Sequence, residues 1–123
     1  MSLGSACSSV TPLQLAQAYL SLATFGERVP VSILKTEPRQ VTRERVFDRR
    51  FVEAVVHMME GVATPEGTAP GAAVPGYRVA GKTGTSRIVG PEGYDDTRHV
   101  AWFVGMVPAS QPRFVMAVMI NDP

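Results

Sequence analysis

Six consecutive residues concentrate the chemistry of this chain: Gly81-Lys82-Thr83-Gly84-Thr85-Ser86. Only two of its twelve basic residues are lysines, Lys35 and Lys82, and Lys82 stands between two glycines and beside three hydroxyl side chains. An ammonium, several hydroxyls and the open N–H groups of a strand together form a receptor for a carboxylate or an oxyanion. Gly81 and Gly84 strip side-chain bulk, which lets a ligand or another backbone approach closely. A plainer reading fits as well: a charged gatekeeper on an edge strand weakened by glycines. Strict alternation sets Lys82 on the opposite face from Thr83 and Thr85, so a site using all three has to lie at the strand's edge.

The same residues carry a competing pattern. Gly76 to Thr83 spells G-x-x-x-x-G-K-T, the formula of a phosphate-cradling loop. That loop needs a strand before its first glycine and a helix opening at the Lys-Thr. Here a Pro/Gly-rich stretch precedes Gly76, Tyr77-Arg78-Val79-Ala80 favours strand, and no helical pattern follows Gly84. A nucleotide-binding segment therefore stays as an alternative with the wrong surroundings, and a non-catalytic carboxylate-binding or assembly module as another. One S-x-x-K is present, Ser32-Ile33-Leu34-Lys35, in a strand-like stretch between Pro30 and Pro38. There is no S-x-N, since Asn121 is the only asparagine. His57 falls on the wet stripe of a helix and His99 opens a strand, so the histidines and scattered acids give no metal spacing. Neither a metal nor a cofactor is expected.

The elements that have to position Lys82 are readable from pattern. Thr11-Pro12-Leu13-Gln14 has the form of a capping box with proline at the first helical position, so a helix is expected from there to about Phe25, ending at Gly26. It is apolar around most of its circumference and should be buried on several sides. Val29 to Leu34 suggests a short strand. A second helix is expected from Asp48 to about Val62, with Arg49, Glu53, His57 and Glu60 as its wet stripe. Thr64 to Gly76 reads as loop, Tyr77 to Ser86 as strand, and Arg87 to Arg98 as a polar excursion. Val100 to Val107 and Phe114 to Ile120 are continuous apolar strands joined by a Pro-containing turn. Short connections imply antiparallel pairing, and runs apolar on both faces imply cover on both.

Length and composition set the limits. The chain has 123 residues, 45% apolar and 19% charged, which is one domain's worth of core-forming sequence. Eleven glycines and ten prolines make it rich in turns. A net charge of +1 excludes a strongly basic nucleic-acid binder or a polybasic membrane-surface protein. The single Cys7 excludes an internal disulfide framework. No apolar run approaches the ~18 residues of a membrane span. Residues 1–8 read as a cloning scar or disordered lead-in, and the apolar run reaching Ile120 reads as cut short. Such a piece should expose sheet edge and apolar surface, and should self-associate.

Lys82-Thr83-Gly84-Thr85 resembles the third motif of penicillin-binding proteins and serine β-lactamases. The likeness is wider than four residues. Val10-Thr11-Pro12-Leu13-Gln14-Leu15-Ala16, Met58-Met59-Glu60, Gly76-Tyr77-Arg78, Pro108-Ala109-Ser110-Gln111-Pro112-Arg113-Phe114 and Ile120-Asn121-Asp122-Pro123 all resemble division-specific class B penicillin-binding proteins. These are septal peptidoglycan D,D-transpeptidases, and the resemblance runs over residues 9–123. It implies an α+β fold, an antiparallel sheet covered by helices on both faces, as the C-terminal portion of a transpeptidase domain.

The resemblance also implies roles. Lys82 and Thr85 would be catalytic, Lys82 as an electrostatic and proton-network partner and Thr85 through its backbone N–H in the oxyanion hole. Lys82, Thr83, Gly84, Thr85 and Ser86 would bind substrate or β-lactam, the threonine hydroxyls holding the terminal carboxylate. Partners would be peptidoglycan stem peptides, β-lactams and membrane proteins of the division machinery, with the parent anchored in the inner membrane and this domain on its periplasmic side. The family's S-x-x-K helix and S-x-N loop are missing here, so no nucleophile is expected in this chain, and the chain alone should be inactive.

Overall fold

A computed structural model describes residues 10–90 and 93–123. The expectation for residues 1–8, and for Cys7 within them, lies outside the described residues. Helix α1 spans Pro12–Ala23, and its capping box forms as the sequence requires. The Thr11 N–H donates to Gln14 Oε1 at 2.8 Å, and the Gln14 N–H donates to Thr11 Oγ1 at 3.1 Å. Two orphan donors are thus satisfied at the helix start. At the other end the chain turns left-handed at Phe25 (φ 55°) and Gly26 (φ 105°), and the Gly26 N–H closes on Ser21 O. Glycine is required at position 26: besides its φ, a Cβ there would strike the carbonyl oxygen of Phe47.

Strands β1 (Glu27–Arg28) and β2 (Glu44–Arg45) form a small antiparallel ribbon. The expected strand over Val29–Leu34 does not form; the charged residues on either side pair instead. Arg28 meets Glu44 at 2.6 Å, and Arg43 and Arg45 both reach Glu27. Opposite charges facing each other across two short strands favour that pairing, while Ile33 and Leu34 find no partner strand and stay exposed.

Helix α2 (Arg49–Met59) is capped by Asp48, whose carboxylate accepts from the Arg50 N–H. It tightens into a 3₁₀ turn over Glu60–Ala63. Val52 and Val56, one turn apart, are its buried residues, and Arg49 and Glu53 pair on the wet side. A second 3₁₀ turn, Pro70–Ala72, interrupts the loop that follows.

Strands β3 (Ala80–Gly90), β4 (Gly93–Val107) and β5 (Phe114–Asn121) form one antiparallel sheet in the order β3-β4-β5. The polar excursion expected over Arg87–Arg98 proves to be a continuation of the β3–β4 hairpin, with a register shift between Arg87 and Ile88. Backbone pairing runs from Ile88–Asp95 to Gly90–Gly93 along that ribbon.

Register fixes the two faces of the sheet. Ala80 pairs with Met106, and Met106 with Val115. These three meet Ala23 of α1 and Val52 and Val56 of α2 in the core, joined by Ala109 from the turn after β4. Both helices therefore cover the same face, so the helical cover expected on both faces is, among the described residues, found on one. The opposite face shows Phe103, Met116, Val118 and Ile120 by the same register. It is covered at one end by the loop around Ala72 and Val74, which leaves an apolar pocket of about 250 Å³ against Phe103, Phe114 and Met116. The expectation that α1 is buried on several sides is corrected: Ala23 alone is buried and Leu13 is 57% exposed, because this chain supplies neighbours for one side of the helix.

Candidate functional site

Lys82 to Ser86 lie in the first half of β3, an edge strand bonded to β4 on one side. The condition set by alternation, that a site using Lys82 and Thr83 together must sit at an edge, is met by this placement. Thr83 pairs with Phe103, Gly84 with Trp102, Thr85 with Ala101 and Ser86 with Val100. Lys82, Gly84 and Thr85 are exposed, and Thr83 and Ser86 are half-buried. The Lys82 ammonium donates to the Thr83 carbonyl at 2.7 Å, and among the described residues no carboxylate is paired with it. Among the described residues its charge therefore has no ion-pair partner, although Glu66 lines the groove beside it.

The two glycines of the segment do different work. A Cβ on Gly81 would lie 2.8 Å from the Phe103 ring and 2.9 Å from the Val104 carbonyl oxygen. Gly81 is therefore needed for packing within the sheet. A Cβ on Gly84 would meet only Trp102 Cβ, at 3.8 Å. Among the described residues nothing demands glycine there, which leaves that face of the strand bare.

Beside β3 runs a groove of about 420 Å³, lined by Met58, Met59, Val62, Glu66, Thr68 and Lys82 among others. Thr68 reaches across to the segment: its hydroxyl oxygen is 2.9 Å from that of Thr83. Sequence reading missed Thr68, which sits in a Pro/Gly-rich stretch legible only as loop and meets Thr83 in space alone. It also missed the pair of Glu60 and Arg78. The guanidinium grips the carboxylate with two bonds of 2.6 Å, tying the end of α2 to the lead-in of β3. Arg78 holds the Glu60 carboxyl below its usual range, with a smaller contribution in the same direction from His57. The signal was present, since Glu60 and Arg78 stand in two of the quoted motifs, but their pairing was not.

The phosphate-loop alternative is corrected by the backbone. Gly76 (φ 82°) belongs to a tight turn closed by a Val74–Tyr77 bridge. Lys82 and Thr83 then lie inside an extended strand, where successive N–H groups point alternately to either side and cannot converge on one phosphate. The S-x-x-K at Ser32–Lys35 opens no helix; Ser32 bonds to its own neighbour Leu34. No group of three potential metal ligands comes together among the described residues.

Comparison with known proteins decides the family. The model of the penicillin-binding protein transpeptidase domain matches residues 1–123. The chain belongs to that family. It is 51% identical to the peptidoglycan D,D-transpeptidase FtsI of Escherichia coli over 93% of its own length, and 40% identical to a probable peptidoglycan D,D-transpeptidase, PbpC, of Pseudomonas aeruginosa over 94%. Among solved structures, the transpeptidase domain of penicillin-binding protein 3 from Burkholderia pseudomallei superposes with a TM-score of 0.85 at 47% identity. That match covers 93% of this chain and 35% of the other. Penicillin-binding protein 3 from Mycobacterium tuberculosis complexed with ampicillin gives a TM-score of 0.81 at 34% identity, covering 93% of this chain and 29% of the other. The chain spans 19% of the E. coli relative and 20% of the P. aeruginosa one. The α+β, antiparallel fold expected of a penicillin-binding transpeptidase is thus the fold found. Among the described residues no helix of this family member is long and apolar enough to cross a membrane.

Proposed function

We propose that this chain forms the carboxylate-binding wall of a septal peptidoglycan D,D-transpeptidase. The observation that carries the reading is the outer edge of β3, unbonded among the described residues, where an ammonium with no carboxylate partner, two threonine hydroxyls and a glycine without packing contacts adjoin an open groove. A stem peptide ending in D-Ala-D-Ala would lie along that edge as an added strand, with its terminal carboxylate at Thr83 and Thr85. A serine hydroxyl supplied from outside residues 10–123 attacks the penultimate carbonyl. The oxyanion is held in part by the Thr85 N–H, and D-Ala leaves with a proton. The amine of a neighbouring stem peptide then attacks the acyl-serine, forming the cross-link and returning the serine. Lys82 contributes positive charge and a link in the proton network, and Ser86 a further hydroxyl at the end of the site. β-Lactams, which carry a carboxylate and a strained amide, would enter the same way.

The test is acylation by penicillin followed by intact mass. The chain alone should gain no adduct. The transpeptidase carrying it should gain one, formed about 100-fold more slowly after Lys82→Ala. An adduct on the isolated chain, or full-speed acylation of the Lys82 variant, overturns the reading.

Placement of this domain on the periplasmic side of an anchored parent, with membrane proteins of the division machinery as partners, follows from the same proposal. So does self-association of the chain by itself. Phe114 and Met116 are at least 60% exposed on the sheet face opposite the helices, and bare apolar strands of this kind associate. A compact monomer in sedimentation at high concentration would exclude it.

A further inference from the structure

We propose that Thr68 is a positioning residue for the carboxylate site, orienting the hydroxyl of Thr83; this rests on the binding role given above to β3. A threonine hydroxyl has one proton to donate and two lone pairs with which to accept. The 2.9 Å contact between the two hydroxyls admits either direction. If Thr83 donates to Thr68, its proton is spent inside the protein and only lone pairs are left for a ligand, which repels an anion. If Thr68 donates to Thr83, the Thr83 proton is left for the ligand. A bound carboxylate selects the second arrangement, giving a chain from Thr68 Oγ1–H to Thr83 Oγ1–H to the carboxylate oxygen. Each bond in such a chain polarises the next.

Both hydroxyls are held on stiff backbone. On the Thr68 side, a Cβ at Gly67 would collide with the carbonyl oxygens of Gly61 and Val62, so residue 67 lies flat on the 3₁₀ turn that ends α2. The N–H groups of Gly67 and Ala69, on either side of Thr68, are bonded to Thr64 O and Val62 O at 2.9 Å each. On the Thr83 side, Gly81 is pressed beneath the Phe103 ring and β3 is paired to β4 throughout. Thr68 is itself exposed at the groove beside Lys82. Its placement therefore serves the groove and not the core.

The experiment compares, in the transpeptidase carrying this chain, acylation by a penicillin and by its neutral methyl ester. Thr68→Val should slow acylation by the acid about 3- to 10-fold, the worth of one neutral hydrogen bond. It should change the ester rate less than twofold, and Thr68→Ser should restore most of the loss. An unchanged acid rate, or equal losses for acid and ester, overturns the proposal, the second outcome marking a merely structural role. Thr83→Val separates the two levels. If it lowers the acid-to-ester ratio while Thr68→Val does not, Thr68 alone is misassigned. If neither lowers it, or the wild type takes up neither compound, the carboxylate reading of β3 fails with it.

Discussion

Within four residues β3 changes from core to site. At Ala80 and Gly81 the strand is buried between the helices and the Phe103 ring; from Gly84 to Thr85 it is exposed along an unbonded edge. Two glycines of identical chemistry mark the two regions, one enforced by neighbours and one not. The contrast shows that a glycine next to a charged residue is not by itself a sign of ligand approach. What surrounds its missing Cβ decides.

The largest test of the packed region is Met106→Ala. Met106 is 1% exposed opposite Ala80, and its truncation should cost about 2–5 kcal/mol in urea denaturation. A loss under 1 kcal/mol would mean that this end is not the core. Gly81→Ala comes next, at about 1–3 kcal/mol, because the Val104 carbonyl cannot move without breaking the sheet. Thr11→Ala, which removes the cap of the helix packed on this end, should lower stability by about 1 kcal/mol; an unchanged midpoint would refute a role for the capping box.

Glu60→Gln should have a smaller effect, and one that depends on pH. The folded Glu60 carboxyl is held below its usual value by Arg78. Its contribution is therefore full above the unfolded value of about 4.3 and fades as pH falls through the lower folded one. Wild type and Glu60→Gln should differ in Tm at pH 7 and converge in acid; a gap independent of pH would rule out the ion pair as its source. Gly84→Ala should be the mildest in stability, within about 0.5 kcal/mol, yet should hinder β-lactam acylation. Equal destabilisation by the two glycine substitutions would erase the distinction between the regions.

Local signals in the sequence reported well on what they control. Thr11, Pro12 and Gln14 specify the start of α1 through contacts within one turn, and the apolar runs after Val100 and Phe114 specify two strands. Signals that need a partner reported badly. Val29 to Leu34 has strand propensity but no strand to pair with, whereas Glu27-Arg28 and Glu44-Arg45 pair through charge across a long loop. The hairpin beyond Arg87 is paired through its backbone, and backbone pairing leaves no mark in composition. At the candidate site, Lys82 to Ser86 stood out in the sequence by residue type, as the segment to which an anion-binding role is proposed. Their edge position, the bond from Thr68 and the clasp of Glu60 on Arg78 depend on residues 15 or more positions apart and appear only when the chain is folded.

The bare edge of β3 carries a consequence for selectivity. A main chain recognised through its amides is read for direction and handedness, since those set where each N–H and C=O falls, and much less for the side chains it bears. A guest of the wrong chirality at its last residue would turn its carboxylate away from Thr83 and Thr85, however well the remainder aligned. On the proposed reading, such an entrance would sort molecules by stereochemistry first and composition second.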